Sequence, residues 1–136
     1  MPHRAAALAL ASMVAACGGG DTGPNTPTFV FRLRDHPVTQ EFRVRSDQAA
    51  FIAQARAQLA LPPAGRMQFV IGRLAAGDGG HNFGWGWHLD QPAMAEMATE
   101  VCDATPAMVE AELGYWLNTV GTFCPWSAYV HAEEAG

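Results

Sequence analysis

Trp85, Trp87 and Leu89 alternate with Gly86, His88 and Asp90. A period of two belongs to a strand, and it sends the large apolar residues to one face and the polar ones to the other. The surrounding stretch, residues 81–90 (HNFGWGWHLD), holds two of the four tryptophans and two of the five histidines. The tryptophan face is expected in the core, an aromatic platform for sugars or peptides being the alternative. The same period recurs in residues 29–34 (FVFRLR) and 41–45 (EFRVR). Asp35-His36-Pro37 separates them, which predicts a hairpin. Residues 67–74 (MQFVIGRL) read as a further strand, followed by the loop AAGDGG.

Two helices fit between these runs. Ser46 stands where an N-cap belongs, with Asp47 in the first turn. Over 48–61, Phe51, Ile52, Ala55, Leu59 and Ala60 make one apolar face, and Pro62-Pro63 ends it. Thr105-Pro106 opens the second helix, with Glu110 in its first turns. Val109, Leu113, Trp116 and Leu117 give it an apolar face up to about Asn118. Gln91-Pro92 reads as a turn, and 97–102 as a strand (alternatively 93–97 as a short helical turn). Residues 123–130 read as the closing strand, and 131–136 as a frayed tail. The order β-β-α-β-β-β-α-β predicts an α+β domain, a mainly antiparallel sheet with two helices packed on it.

The first residues predict export. His3 and Arg4 precede an uncharged apolar run, residues 5–16 (AAALALASMVAA), shorter than the ~20 residues of a permanent span. Val14-Ala15-Ala16-Cys17 resembles the lipobox of bacterial lipoproteins. The resemblance implies a signal peptide over 1–16 and a diacylglyceryl group on Cys17, anchoring the chain to the cell envelope. Gly18 after the cysteine implies onward passage to the outer membrane in a Gram-negative cell. A plain secretory peptide with a chance cysteine is the alternative. Residues 17–27 (CGGGDTGPNTP) are a flexible tether, and 28–133 form the single domain.

Without Arg4 the chain carries seven arginines, no lysine and thirteen carboxylates, a net charge of 7 − 13 = −6. The seven arginines lie between Arg32 and Arg73, while residues 74–136 hold nine carboxylates and no Lys or Arg. That distribution argues against nucleic acid as a partner. An acidic half attracts cations or a basic partner, or simply keeps the surface solvated.

Two cysteines remain, Cys102 and Cys124. Outside the cytoplasm such a pair is expected to form a disulfide; a reactive thiol is the alternative. The polar residues His81, Asn82, His88, Asp90, Glu100 and Asp103 form a candidate binding or structural cluster. In one reading His88 and Asp90, with His81, Glu100 or Asp103, hold a metal ion or act as acid and base in a small envelope enzyme. In the other, His88 and Asp90 bond each other or nearby backbone beside a tryptophan core. No HExxH, paired-cysteine zinc motif, EF-hand or phosphate loop is present. No cofactor is expected, a metal ion being the one alternative. Asp103 is expected in a local turn or helix-end contact, and His36 and His131 on the surface. Gly84 and Gly86 leave room for close approach beside the tryptophans.

Asn82, Trp85, His88, Asp90 and Pro92, then Glu100-Val-Cys-Asp103, then Cys124-Pro-Trp-Ser127 resemble the signature of the BP-seventy-four N-terminal domain family, small domains of bacterial secreted proteins and some eukaryotic ones. The resemblance covers about 28–133. It departs from the pattern in extra length over 36–45, and in Gln91 standing between Asp90 and Pro92. It implies fold and location and carries no settled activity. The resulting expectation is an exported, lipid-anchored, non-enzymatic binding or interaction module of unidentified ligand. The alternatives are the His88/Asp90/Glu100 enzyme or metal domain, and a protease-inhibitor-like domain presenting the loop 78–83.

Overall fold

In the computed structural model residues 25–36 and 38–135 are described; Cys17, the predicted signal peptide and most of the tether lie outside them. Strands β1 (Thr28–Leu33) and β2 (Phe42–Arg45) form the predicted hairpin, and helix α1 (Ala49–Leu59) follows. Next come β3 (Phe69–Ala76), β4 (Trp87–Ala95), helix α2 (Pro106–Ala111), β5 (Thr122–Phe123) and β6 (Ala128–Glu134). The fold is α+β, and all its strand pairs are antiparallel.

The strands form two three-stranded sheets, ordered β2-β1-β6 and β4-β3-β5, where the sequence suggested one. Cys124-Pro125-Trp126 is the reason. It interrupts the predicted closing strand, so β5 pairs with β3 in one sheet and β6 with β1 in the other. The turn is closed by the Ala128 N–H, which donates to the Pro125 carbonyl at 3.0 Å. Residues 131–134 do not fray. They complete β6, and Glu133 and Glu134 pair with Arg56 at 2.7 Å and Arg43 at 2.6 Å.

The alternation in each strand explains how the sheets face each other. Phe29, Phe31, Leu33, Phe42 and Val44 point inward from one, and Val70, Leu74, Trp87 and Leu89 from the other; all are buried. At the centre Phe42 lies 5.7 Å from both Trp87 and Phe123, and Trp87 lies 5.2 Å from Phe123. These rings join both sheets in tilted and edge-on contacts. Helix α1 caps one side, with Phe51 edge-on to Phe29 at 5.5 Å.

Gln91-Pro92 is not a turn. Ile71 pairs with Ala93 and Arg73 with Asp90, so Gln91 and Pro92 together oppose Gly72, a β-bulge. Gln91 takes φ 49°, and Pro92, lacking an N–H, is tolerated at such a bulge. The extra residue switches the strand's parity. Trp87 and Leu89 face the core before it, and Pro92 and Met94 after it. β4 therefore runs to Ala95, displacing the predicted helical turn at 93–97.

Three further expectations are corrected. Residues 97–102 are not a strand: Met97 to Thr99 form no ladder, Thr99 being extended, and Glu100–Cys102 is one 3-10 turn. Ser46 does not cap α1; Gln48 holds that position, and the Ser46 hydroxyl accepts the Gln48 N–H at 3.1 Å in the turn before it. The second helix keeps its predicted cap, Thr105 Oγ1 accepting the Met108 N–H at 3.2 Å. It breaks at Glu112 (φ −129°, ψ 48°), resumes over Leu113–Tyr115, and winds into a π turn, Trp116–Val120. Gly121, at φ 75°, closes the π turn with its N–H on the Trp116 carbonyl.

Candidate functional site

Residues 77–86 connect β3 to β4 as a compact loop, closed by the Gly77 N–H on the Gly86 carbonyl at 2.8 Å. Asp78 organises its interior: its carboxylate accepts the Gly80 N–H, and its carbonyl accepts the N–H groups of His81 and Asn82. Gly77, Gly79, Gly80 and Gly84 all have positive φ. Gly79 is the most constrained, since a Cβ there would lie 2.7 Å from the His88 ring and 2.9 Å from that of His81. The peptide therefore lies against the two histidines, which meet edge-on at 5.6 Å.

Both rings bond the loop. His88 Nδ1 is 2.8 Å from the Gly77 carbonyl and His81 Nδ1 is 3.1 Å from the Gly79 carbonyl. A carbonyl only accepts, so each Nδ1 carries a proton. In the neutral ring Nε2 then holds a lone pair. His88 Nε2 faces Asp90 Oδ1 at 3.4 Å, an ion pair only when the ring is protonated. His81 is 4% exposed, and among the described residues its Nε2 has no hydrogen-bond partner.

Asn82, 1% exposed, joins the two sheets. Its Oδ1 accepts the Arg43 N–H of β2 at 2.8 Å, and its Nδ2 donates to the Trp87 carbonyl of β4 at 2.8 Å. Trp85 adds a second tie, its indole N–H donating to the Glu41 carbonyl at 2.9 Å. The approach to Gly86 is taken by Glu110, whose carboxylate accepts the Gly86 N–H at 2.9 Å. Phe83, 65% exposed, is the large apolar side chain this loop offers to solvent, beside the exposed Asp78.

Burial pushes the His81 ring below its ordinary value. Arg45 and His88 act in the same direction, against the Gly79 carbonyl and Asp78. The sign of the consequence follows: the unfolded chain binds the His81 proton more readily, so stability is complete above about pH 6.5 and is lost as the pH falls below it. The slope for one proton is at most about 1.4 kcal/mol per pH unit. Burial and Arg32 lower His131, half-buried in β6 rather than at the surface, with the same sign. Urea titrations at pH 7.5 and 5.5 are expected to show a loss for the natural chain and a smaller one for His81→Asn, which keeps a donor for Gly79 without titrating. An equal loss in both would remove His81 from this role.

The convergence of His88 and Asp90 with Glu100 that the metal or enzyme alternative requires does not occur. His88 sits near the start of β4, whereas Glu100 follows its far end, and the strand from His88 to Ala95 alone spans roughly 20 Å. Among the described residues no group of three or more His, Cys, Asp or Glu side chains is placed to hold a metal ion. Asp103 closes the 3-10 turn as expected, its N–H on the Glu100 carbonyl at 3.0 Å, and its side chain adds a long-range contact, Oδ1 accepting the Trp126 N–H at 2.9 Å.

Cys102 and Cys124 are joined, with Cα atoms 5.1 Å apart. They pack with Phe69 on the outer face of the β4-β3-β5 sheet, beside Ile71, Ala95 and Ala98. Next to this cluster opens a cleft of about 360 Å³ lined by Met67, Phe69, Glu96, Met97, Ala98 and Trp126. Met97 is 89% exposed, Met67 69% and Trp126 41%. Sequence reasoning missed this cleft because three separate segments build it. The available signal was large apolar residues in stretches with no period to bury them.

No curated protein and no solved structure matches the chain. The family model of the BP-seventy-four N-terminal domain matches residues 26–136, spanning both sheets, the 81–90 stretch and the disulfide. The chain belongs to the BP-seventy-four N-terminal domain family.

Proposed function

We propose that the protein is an exported, lipid-anchored, non-enzymatic binding module whose ligand sits in the Met67/Phe69/Met97/Trp126 cleft. The observation that carries this reading is the cleft itself. Large apolar side chains stand exposed around a buried Phe69 floor, an arrangement soluble domains keep mainly where something docks. The histidine loop commits both Nδ1 atoms to its own carbonyls and the Asn82 and Trp85 side chains to backbone of β4 and the β2 hairpin, so it serves the fold. The inhibitor-like alternative rests on Phe83 at the surface of that loop.

The anchor reading rests on Val14-Ala15-Ala16-Cys17 and the tether. The domain begins at Thr28, whereas the other end of β1 approaches the cleft: the Arg34 N–H donates to the carbonyl of Ser127, next to Trp126. A lipid on Cys17 would thus hold the domain by one end and leave the cleft at the other. With labelled palmitate, the natural protein is expected to incorporate lipid and enter the detergent phase, and Cys17→Ala to do neither; detergent partition by Cys17→Ala would overturn the anchor.

The binding reading is tested with the uncharged dye Nile red. Saturable binding by the natural protein is expected, reduced about tenfold or more by Met97→Asp, which puts a charge in the apolar wall. Binding that Met97→Asp leaves unchanged would remove the cleft as the site.

A further inference from the structure

The cleft has an uneven charge environment. Glu96 lines it, Glu100 opens the 3-10 turn that follows, and Asp103 ends that turn. Elsewhere, Glu41 is matched by Arg32 and Arg43, Glu133 by Arg56 and Glu134 by Arg43, while Asp78 and Glu110 are engaged by the backbone N–H groups of Gly80 and Gly86. Among the described residues Glu96 and Glu100 have no basic partner, and Glu96 only meets the Gln68 amide at 3.4 Å. The neighbouring arginines are committed to carbonyls: Arg66 to those of Leu59, Leu61, Val130 and His131, and Arg34 to those of Pro63 and Arg66. Arg73 shares the outer face of β3, but it lies four residues, or about 13 Å, along the strand from Phe69.

The backbone is also open. Past Ala95, the last β4 residue paired with β3, Met97 and Ala98 form one wall of the cleft. Among the described residues their backbone groups bond no other backbone. An extended polypeptide can supply those bonds, place an apolar side chain over Phe69, and set the next side chain, on the opposite face, toward the carboxylates.

We infer that the occupant is an extended segment of a partner protein carrying a large apolar residue next to Arg or Lys. The inference rests on the cleft being the binding site, as proposed above. Apolar contact between the methionines and Trp126 supplies adaptable packing, since unbranched thioether side chains fill irregular gaps. The unpaired Glu96 and Glu100 select a basic segment over an acidic one and speed its encounter.

The probes are two seven-residue synthetic peptides, one alternating leucine with arginine and one leucine with glutamate, titrated against the full protein while following tryptophan fluorescence. The arginine peptide is expected to bind. Binding should weaken about tenfold in the double variant Glu96→Gln/Glu100→Gln and weaken again as salt is raised from 0.05 to 0.5 M, roughly the range over which exposed charges become screened. The glutamate peptide is expected not to bind, and Glu112→Gln, distant from the cleft in sequence, to change nothing. Three outcomes overturn the inference: equal binding of the two peptides, binding of the arginine peptide unaffected by the double variant, or argininamide binding as tightly as the peptide. Loss of Nile red binding as well would take the cleft reading with it; retained dye binding would leave that reading and remove only the basic segment.

Discussion

Asn82→Ala is expected to destabilise the domain by about 2–4 kcal/mol, because two half-buried or buried backbone groups lose their partners and each costs about 1–3 kcal/mol. The Arg43 N–H and the Trp87 carbonyl belong to different sheets, and the Asn82 amide satisfies both. Deleting it leaves a donor and an acceptor that cannot reach each other in its place. Asn82→Asp distinguishes this from simple loss of packing. The aspartate still accepts from Arg43, but it sets a carboxylate oxygen against the Trp87 carbonyl in a site only 1% exposed. It is expected to be at least as damaging as alanine. His88→Ala should cost less, since His88 bonds a loop carbonyl at a part-exposed position and pairs with Asp90 only when protonated. Urea unfolding of the three variants measures the order directly. A neutral Asn82→Ala would mean the two sheets do not depend on this amide.

The second large effect belongs to the disulfide. Cys102 and Cys124 are 22 residues apart, and closing a loop of that size removes unfolded-state entropy worth about 3 kcal/mol. The bridge ties the 3-10 turn after β4 to the residue after β5, and it forms part of the small cluster under Phe69. Cys102→Ala/Cys124→Ala is therefore expected to lower stability by about that amount, and to loosen the cleft floor with it. Adding reductant should shift the urea midpoint of the natural protein toward that of the double variant while leaving the variant unmoved. A natural protein indifferent to reductant would contradict the role given to the bridge.

Local pattern makes much of this architecture legible. The alternating runs before Ser46 specify the β1–β2 hairpin, and the spacing of Phe51 and Ala55 specifies α1. Period two divides Trp87 and Leu89 from His88 and Asp90 correctly. The paired cysteines and the Thr105 cap also follow from residue type and position. What escapes is decided by distant partners. Whether 123–130 continues in one sheet or crosses to another depends on where Cys124 is tied, which no local period encodes. The bulge at Gln91 is one inserted residue, and it inverts the faces of everything after it, so Met94 turns inward against the pattern. The second helix has the apolar spacing of a single rod, yet it breaks at Glu112 and reaches the core through the π turn that carries Trp116 to Phe123.

The candidate site divides in the same way. Proximity in the chain gathers His81, Asn82, His88 and Asp90 correctly, but residue type alone groups Glu100 with them, and β4 holds it at the other end. Within the cluster the histidines draw attention as possible ligands. The asparagine makes the bonds that matter most, because an amide offers a donor and an acceptor at once and a neutral imidazole committed at Nδ1 offers only a lone pair. Met67, Met97 and Trp126 share no motif, and folding alone brings them to one cleft.

The central claim is that residues 81–90 are the clamp between the sheets. Its most direct test is amide hydrogen exchange at Arg43. β2 is an edge strand, and the Arg43 N–H is held by the Asn82 side chain. In the natural protein this amide is expected to exchange as slowly as the core strands, through opening of the whole domain. Exchange at the rate of an exposed edge amide, under conditions where the amides of β1 remain protected, would show that the clamp is open and contradict the account.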